Sequence, residues 1–291
     1  MRSFQFFRAN TLDECLGLLE PLGVQALAGG QSLLLEMKER REAPRALVSI
    51  GGLGELRRTG PNNDGELEIG GLTTYRALSE AQLGTDYTQL GDLVRDIADT
   101  PVRTMATVGG ALCQADRRFD VPVIAVALDA AIELASCAGT RRVAAEEFII
   151  SHRTTARASD ELLTKVIFPK MAASSKWAFR KFRLRRMDSA AVSVAVRLQT
   201  SPAGVVQDAR VVVGACMDRP TRVPSIEASL SDATLSWEVI RSVESDLRST
   251  LIPEVPGTFA GNYLASVAGV LLREGMQSIC GSSDVEQPCR N

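Results

Sequence analysis

Apolar residues along the chain recur in two rhythms, and the switches between them mark out the elements. Leu12, Cys15, Leu16 and Leu19 fall at i, i+3, i+4 and i+7, which is one face of a helix. Thr11-Leu12-Asp13-Glu14 opens it in capping-box form, where a hydroxyl and a carboxylate satisfy the first free N–H groups. Pro21 and Gly23 stop it. Residues 24–27 and 46–50 read as strands with a helical turn over 33–38 between them, so the first segment predicts strand, helix, strand, helix, strand. Residues 66–69 predict a further strand, closed by Gly70-Gly71. Thr74 caps a helix through Leu78, and Leu90, Leu93, Val94 and Ile97 return to helical spacing until Pro101 breaks it. Asp120-Val121-Pro122 opens an apolar helix to Leu128, with proline at an early position that tolerates its missing N–H. Residues 131–135 and 141–144 predict a hairpin around Gly139, and 161–168 a strand ended by Pro169.

The small and polar stretch 171–175 is the linker candidate. Three strand-like runs follow, at 177–184, 191–198 and 209–216. The middle one alternates Val192, Val194 and Val196 with Ala191, Ser193 and Ala195, the period of a strand with two unlike faces. Two helices complete the pattern, the last with Leu264, Val267, Ala268 and Leu271 on one face. The polar stretch 281–291 predicts a disordered tail.

A chain of 291 residues with this pattern calls for two or three domains. Hydrophobic content of 45% and charged content of 23% are ordinary for a soluble globular protein. Every long apolar run is interrupted by charge or glycine, so no membrane span is expected. Met1-Arg2-Ser3-Phe4 leads straight into patterned sequence without the apolar core of a signal peptide, which makes the expected location cytoplasmic. The net charge of −2 gives no drive toward nucleic acid. Cysteines stand at 15, 113, 137, 216, 280 and 289 without a CxxC pair, and His152 is the sole histidine. That spacing suits neither zinc nor an iron–sulfur cluster, so no metal site is expected on this chain. No paired acid and base stands out either, so no catalytic side chain is assigned.

Candidate chemistry rests on two glycine loops. Backbone N–H groups can hold a phosphate when the chain comes close enough, which calls for residues without a Cβ and often for positive φ. A helix beginning just after the loop adds its own free N–H groups. Ala28-Gly29-Gly30-Gln31-Ser32-Leu33 follows a strand and precedes a helical turn, and Thr107-Val108-Gly109-Gly110-Ala111 repeats the pattern. Two such loops suit a pyrophosphate gripped from both sides, although either alone reads more readily as a plain turn. A GxGxxG after the first strand is missing, so a Rossmann site is not indicated.

The order of the motifs resembles the medium-subunit family of carbon monoxide dehydrogenase, which includes the flavin domain of xanthine dehydrogenase. Ala28-Gly29-Gly30-Gln31-Ser32-Leu33-Leu34 with Met37-Lys38 resembles the family's first FAD motif. Ile69-Gly70-Gly71-Leu72-Thr73-Thr74, Pro101-Val102-Arg103, Thr107-Val108-Gly109-Gly110 and Asp120-Val121-Pro122 follow at family spacing. Leu128-Asp129-Ala130, Phe148, Asp160-Glu161-Leu162-Leu163 and Lys181-Phe182-Arg183-Leu184-Arg185-Arg186 continue the match, which runs from about Phe4 to Met276. The resemblance implies an α+β fold: a two-part FAD-binding domain of the vanillyl-alcohol-oxidase type (residues 1–52 and 53–172) and a small C-terminal α+β flavoprotein domain (176–280).

It further implies that Ala28, Gly29, Gly30, Gln31, Ser32 and Leu33 hold the FAD pyrophosphate from one loop, and Thr107, Gly109 and Gly110 from the other. By the same resemblance Asp120 accepts from ribityl or ribose hydroxyls, Leu163 and Lys181 lie near the isoalloxazine, and Ile97 packs on the cofactor. Taken without the family, Asp120 reads as a helix cap, Leu163 as strand core and Lys181 as a solvated lysine in a basic run. Ala106 and Ala111 depart from the family's Gly and Asn, and Gln114 and Arg117 from its His and Pro, so the second loop matches less closely than the first. The family resemblance implies an electron-transfer subunit of a molybdenum hydroxylase. Its partners would be a small subunit with two [2Fe–2S] clusters and a large subunit with the molybdopterin cofactor, in a dimer of heterotrimers. A self-contained flavin oxidase and an FAD-free assembly module of the same fold are the alternatives.

Overall fold

The computed structural model describes residues 2–254 and 259–280; the tail expected at 281–291 lies outside the described residues. The chain divides into two compact units, Met1–Asp116 with Asp129–Lys170, and Arg117–Leu128 with Met171–Asn291.

The first unit begins β1 (Gln5–Arg8), α1 (Leu12–Leu19), β2 (Val24–Leu27), α2 (Leu33–Lys38) and β3 (Ala46–Ser49), the order that the two periodicities predict. These strands form a parallel sheet ordered β1-β3-β2. The hydroxyl of Thr11 accepts from the Glu14 N–H at 3.2 Å, and the Glu14 carboxylate reaches back to the Asn10 N–H at 2.8 Å. Leu16 and Leu19 of α1 pack with Val48, Leu53, Leu72 and Leu162 in one core. The parallel sheet thereby shares its interior with the second sheet of this unit.

That second sheet is built from β4 (Thr59–Pro61) and β5 (Leu67–Gly70), then from strands that come after a helical excursion. The excursion contains α3 (Tyr75–Glu80), α4 (Thr88–Arg95), α5 (Thr100–Met105) and α6 (Val108–Gln114). The chain next lends α7 (Asp120–Ala127) to the second unit and returns as β6 (Ala131–Ser136), β7 (Gly139–Ala144), α8 (Ala145–Phe148), β8 (Ile149–Ser151), β9 (Thr154–Thr155) and β10 (Leu162–Phe168). The strand order is β4-β5-β10-β6-β7, antiparallel throughout. Pro101 differs from expectation, because it opens α5 rather than ending α4. Asp99 caps α5 by accepting from the Val102 N–H at 3.0 Å, and proline sits in the first turn, where an N–H has no helical acceptor. The break itself falls at Ala98, whose φ is +47°.

The second unit adds β11 (Ser175–Phe182), β12 (Val192–Thr200), β13 (Val206–Gly214), β14 (Thr221–Arg222), α9 (Pro224–Leu230), α10 (Trp237–Thr250) and α11 (Gly261–Cys280). The four strands pair antiparallel in chain order. The alternation in β12 has a direct cause. Val192, Val194 and Val196 face a core with Ile240, Leu247, Leu264 and Leu272 of α10 and α11. The small residues lie on the opposite side under α7: a Cβ on Gly214, the partner of Ser193, would stand 2.4 Å from Val123 Cγ2. All residues of α7 are buried, which is why its sequence is apolar on every side. Among the described residues three helices follow the strands where the pattern predicts two. The additional one, α9, has 7 residues, too short to display a helical period.

Candidate functional site

The first glycine loop leaves β2 and enters α2. Gly29 has no room for a side chain: a Cβ there would lie 1.9 Å from the Met105 carbonyl oxygen and 3.2 Å from the Ala106 Cα. The two glycine loops are therefore in contact, because Gly29 presses on the backbone that leads into Thr107. Gly30 adopts φ +69°, the left-handed region that glycine enters without strain. The Gly30 and Ser32 carbonyls start α2 by accepting from Leu34 at 3.1 Å and Glu36 at 3.0 Å. The Gln31 side chain turns back to donate to the Gly29 carbonyl at 3.2 Å. Among the described residues, the N–H groups of Gly29, Gly30, Gln31, Ser32 and Leu33 meet no acceptor. A consecutive run of amide donors with no competing protein acceptor, on a half-exposed glycine turn, can serve as an anion cradle, since each N–H is left to donate to a phosphate oxygen.

The second loop resembles the first in sequence and differs from it in geometry. Its amides are already used: Val108 N–H donates to Thr73 O, Gly109 N–H to Gly71 O and Ala111 N–H to Thr107 O, each at 3.0 Å. Gly110 N–H donates to the Thr107 hydroxyl at 3.0 Å. The glycines here serve close approach instead. A Cβ on Gly109 would stand 2.6 Å from the Gly71 oxygen, and one on Gly71 would stand 2.5 Å from the Leu163 oxygen. Gly109, Gly71 and Leu163 thus form one stack of touching backbones. What remains to face a ligand is Thr107: its N–H meets no acceptor among the described residues, and its hydroxyl, which accepts from Gly110, keeps its own proton to donate.

The departures Ala106 and Ala111 are both accommodated. Ala106 is extended at φ −61°, ψ 136°, where a Cβ is unstrained, and Ala111 is a buried position inside α6. Ile97 is half-buried in the turn between α4 and α5, and its carbonyl accepts from Arg103 at 3.0 Å. Leu163 is buried in β10 beside the β-bulge that lies between it and Lys165. Asp120 and Lys181 belong to the second unit. Asp120 is the first residue of α7 and Phe119 holds the cap position, so Asp120 is not the N-cap. Its carboxylate pairs with the Lys181 ammonium at 2.5 Å, with side-chain exposures of 6% and 11%. Lys181 is therefore a nearly buried, ion-paired residue and not a solvated one.

Sequence reasoning passed over three positions. Gly71 stood in a quoted motif, but its place between Gly109 and Leu163 is a matter of tertiary contact. Glu36 is buried on α2, and a carboxylate within Leu33-Leu34-Leu35-Glu36-Met37 was a visible signal. It accepts from Arg41 through two nitrogens and from Arg153 Nη2 at 2.8 Å. Arg41 first and Arg153 second hold its pKa at about 2. Arg153 gave no signal, being 117 residues away in sequence.

Comparisons with known proteins identify the family of the chain. Residues 2–171 match the family described as the FAD-binding domain in molybdopterin dehydrogenase, and residues 177–279 match the CO dehydrogenase flavoprotein C-terminal domain. The glyceraldehyde dehydrogenase medium chain of Sulfolobus acidocaldarius is 30% identical over 278 residues, covering 95% of this chain and 98% of its own length. The carbon monoxide dehydrogenase medium chain of Afipia carboxidovorans is 29% identical over 94% of this chain and 96% of its own. The solved structure of reconstituted CO dehydrogenase from Oligotropha carboxidovorans superimposes with a TM-score of 0.88 at 28% identity, over 94% of this chain and 96% of that one. An amide cradle beside a second glycine loop, on a chain matched along nearly its whole length, places this protein in the molybdopterin-dehydrogenase FAD-binding family, as an FAD-binding subunit of a molybdenum hydroxylase.

Proposed function

We propose that this chain is the electron-transfer subunit of its hydroxylase, binding FAD between its two glycine loops and relaying electrons from a partner's [2Fe–2S] clusters to an external acceptor. The observation that carries this reading is the run of amides at residues 29–33 that meet no acceptor among the described residues, pressed by Gly29 against the segment that delivers Thr107. Bound FAD supplies the redox chemistry. The protein's own part is to bind and orient. Amides of Gly29, Gly30, Gln31, Ser32 and Leu33, with the Thr107 N–H and hydroxyl, donate to the pyrophosphate, while Ala28, Gly109 and Gly110 shape the loops around it. By the family resemblance Asp120 accepts from ribityl or ribose hydroxyls, Leu163 and Lys181 lie near the isoalloxazine, and Ile97 packs on the cofactor.

In this reading residues 1–52 and 53–172 are two subdomains of the cofactor domain, and 176–280 form the flavoprotein C-terminal domain. The partners are a small iron–sulfur subunit and a large molybdopterin subunit, in a dimer of heterotrimers in the cytoplasm. Support comes from relatives that are themselves medium chains or FAD subunits, such as the nicotine 6-hydroxylase medium subunit of Paenarthrobacter nicotinovorans and the xanthine dehydrogenase FAD-binding subunit of Escherichia coli O157:H7. Two measurements test the proposal. Purified protein should show flavin absorption bands whose chromophore is released by acid. A tag on this chain, expressed in its native host, should co-purify iron and molybdenum in fixed ratio to flavin. A colourless folded protein that takes up no FAD defeats the cofactor assignment, and a flavoprotein that turns over without metal-bearing partners defeats the subunit assignment.

A further inference from the structure

The two loops are braced at their far ends by a single residue. The helix that follows the first loop, α2, carries the buried carboxylate of Glu36. The helix that follows Thr107, α6, ends at Ala115, whose φ is +45°, with the buried Asp116 next in sequence. Arg153, at the tip of the β8–β9 hairpin, reaches both. Its Nη2 donates to Glu36 Oε1 at 2.8 Å and lies 3.7 Å from Asp116 Oδ2, and its N–H donates to the Ala115 carbonyl at 2.9 Å. Arg153 itself adopts φ +61°, a left-handed conformation costly for a residue with a side chain. Strain of that kind persists where the surroundings over-determine it.

We propose that Arg153 is a positioning residue that sets the spacing between the two glycine loops, by tying the end of α6 to the carboxylate on α2, and that FAD affinity depends on it although it lies away from the cradle. The proposal rests on the FAD assignment above. Arg41 provides the internal comparison. It grips the same Glu36 and also Glu39, so its ion pairs stay on the α2 side and reach nothing on α6. A purely structural role for Glu36 makes loss of Arg41 and loss of Arg153 equivalent, whereas a bracing role separates them.

The test uses the full-length chain, stripped of flavin and titrated with FAD, with thermal unfolding of each apo-protein measured in parallel. If the unsubstituted chain takes up no FAD, the cofactor assignment fails before any variant is compared. Given FAD binding, Arg153→Gln is expected to raise the FAD Kd by about tenfold or more, and Arg41→Gln by less than about threefold. The double variant Glu36→Gln/Arg153→Gln is expected to bind no more weakly than Arg153→Gln alone, since both changes cut one connection. Arg153→Gly guards against simple misfolding, because glycine accepts the positive φ without strain while deleting the brace. It should match Arg153→Gln in FAD affinity without a lower unfolding temperature than that variant. Arg153→Lys, which keeps a charge for Glu36, should recover part of the affinity. Parental Kd in Arg153→Gly or Arg153→Gln, or equal weakening by Arg41→Gln, overturns the proposal.

Discussion

Replacing Gly29 by alanine tests the contact between the loops directly. The added Cβ would lie 1.9 Å from a carbonyl oxygen, and real Cβ contacts stay beyond 3.0 Å, so something must move by at least 1.1 Å. Both neighbours are backbone, and both are held. Met105 ends α5, where Ala106 N–H donates to Val102 O at 2.7 Å, and the first loop is tied into α2 through Leu34 N–H and Gly30 O at 3.1 Å. Overpacking of this kind costs roughly 1–3 kcal/mol of stability. The larger effect falls on the ligand, because a displacement of about 1 Å between the cradle and Thr107 breaks hydrogen bonds to an anion worth roughly 1.5–3 kcal/mol each. Losing one or two of them, about 1.5–6 kcal/mol, weakens FAD by about tenfold at the least and by up to about 10⁴-fold. Binding is read by quenching of flavin fluorescence on the stripped protein, and stability by thermal unfolding. The matched control is Gly17→Ala on the exposed side of α1, where nothing lies within 4 Å. It is expected to stabilise by about 0.5–1 kcal/mol through helix propensity and to leave FAD affinity unchanged. A Gly29→Ala protein that binds FAD as tightly as its parent would refute the contact between the loops as the basis of the site.

Other expectations follow from the same geometry. The folded-state pKa of Glu36, about 2, lies below the ordinary 4.5, so its contribution is complete above pH 4.5 and fades as pH falls toward 2; Glu36→Gln should flatten stability against pH in that window and leave the alkaline limb unchanged. Lys181→Met removes the partner seen for the buried Asp120 carboxylate, and is expected to cost about 3 kcal/mol in chemical denaturation, with Asp120→Asn in the same chain recovering part of the loss. Additive losses from the two changes would mean that the pair is not coupled. Burial pushes the Cys15 thiol to about 11 and the Cys216 thiol to about 12. At pH 8 both should resist a thiol reagent in the native protein and react only on unfolding, while the exposed Cys137 reacts first among the described cysteines.

Much of the fold was legible because its signals are local. A hydroxyl before an apolar stripe starts α1, proline and glycine stop it, and alternation defines β12. Where the reading missed, the deciding fact was a neighbour distant in sequence or an element too short to show a period. Pro101 looked like the end of α4 because proline breaks a helix interior, yet Asp99 made it the start of α5. The seven-residue α9 shows no stripe, and its place is set by packing against β13.

The sequence by itself determined that this chain carries two glycine loops in the order and company of an FAD-binding subunit, because motif order and spacing are properties of the chain. Tertiary structure decided that the loops do different work. Both read as amide cradles, but the second loop's amides are used by Gly71, Thr73 and Thr107, so the donors that meet no acceptor among the described residues are concentrated at residues 29–33 and at Thr107. Tertiary structure also decided that Gly29 is a contact point and that Arg153 joins the far ends of the two helices. The physical reason is one of range. Propensity and periodicity act over a few residues, whereas hydrogen-bond saturation and close backbone approach depend on which distant segments the finished fold brings together.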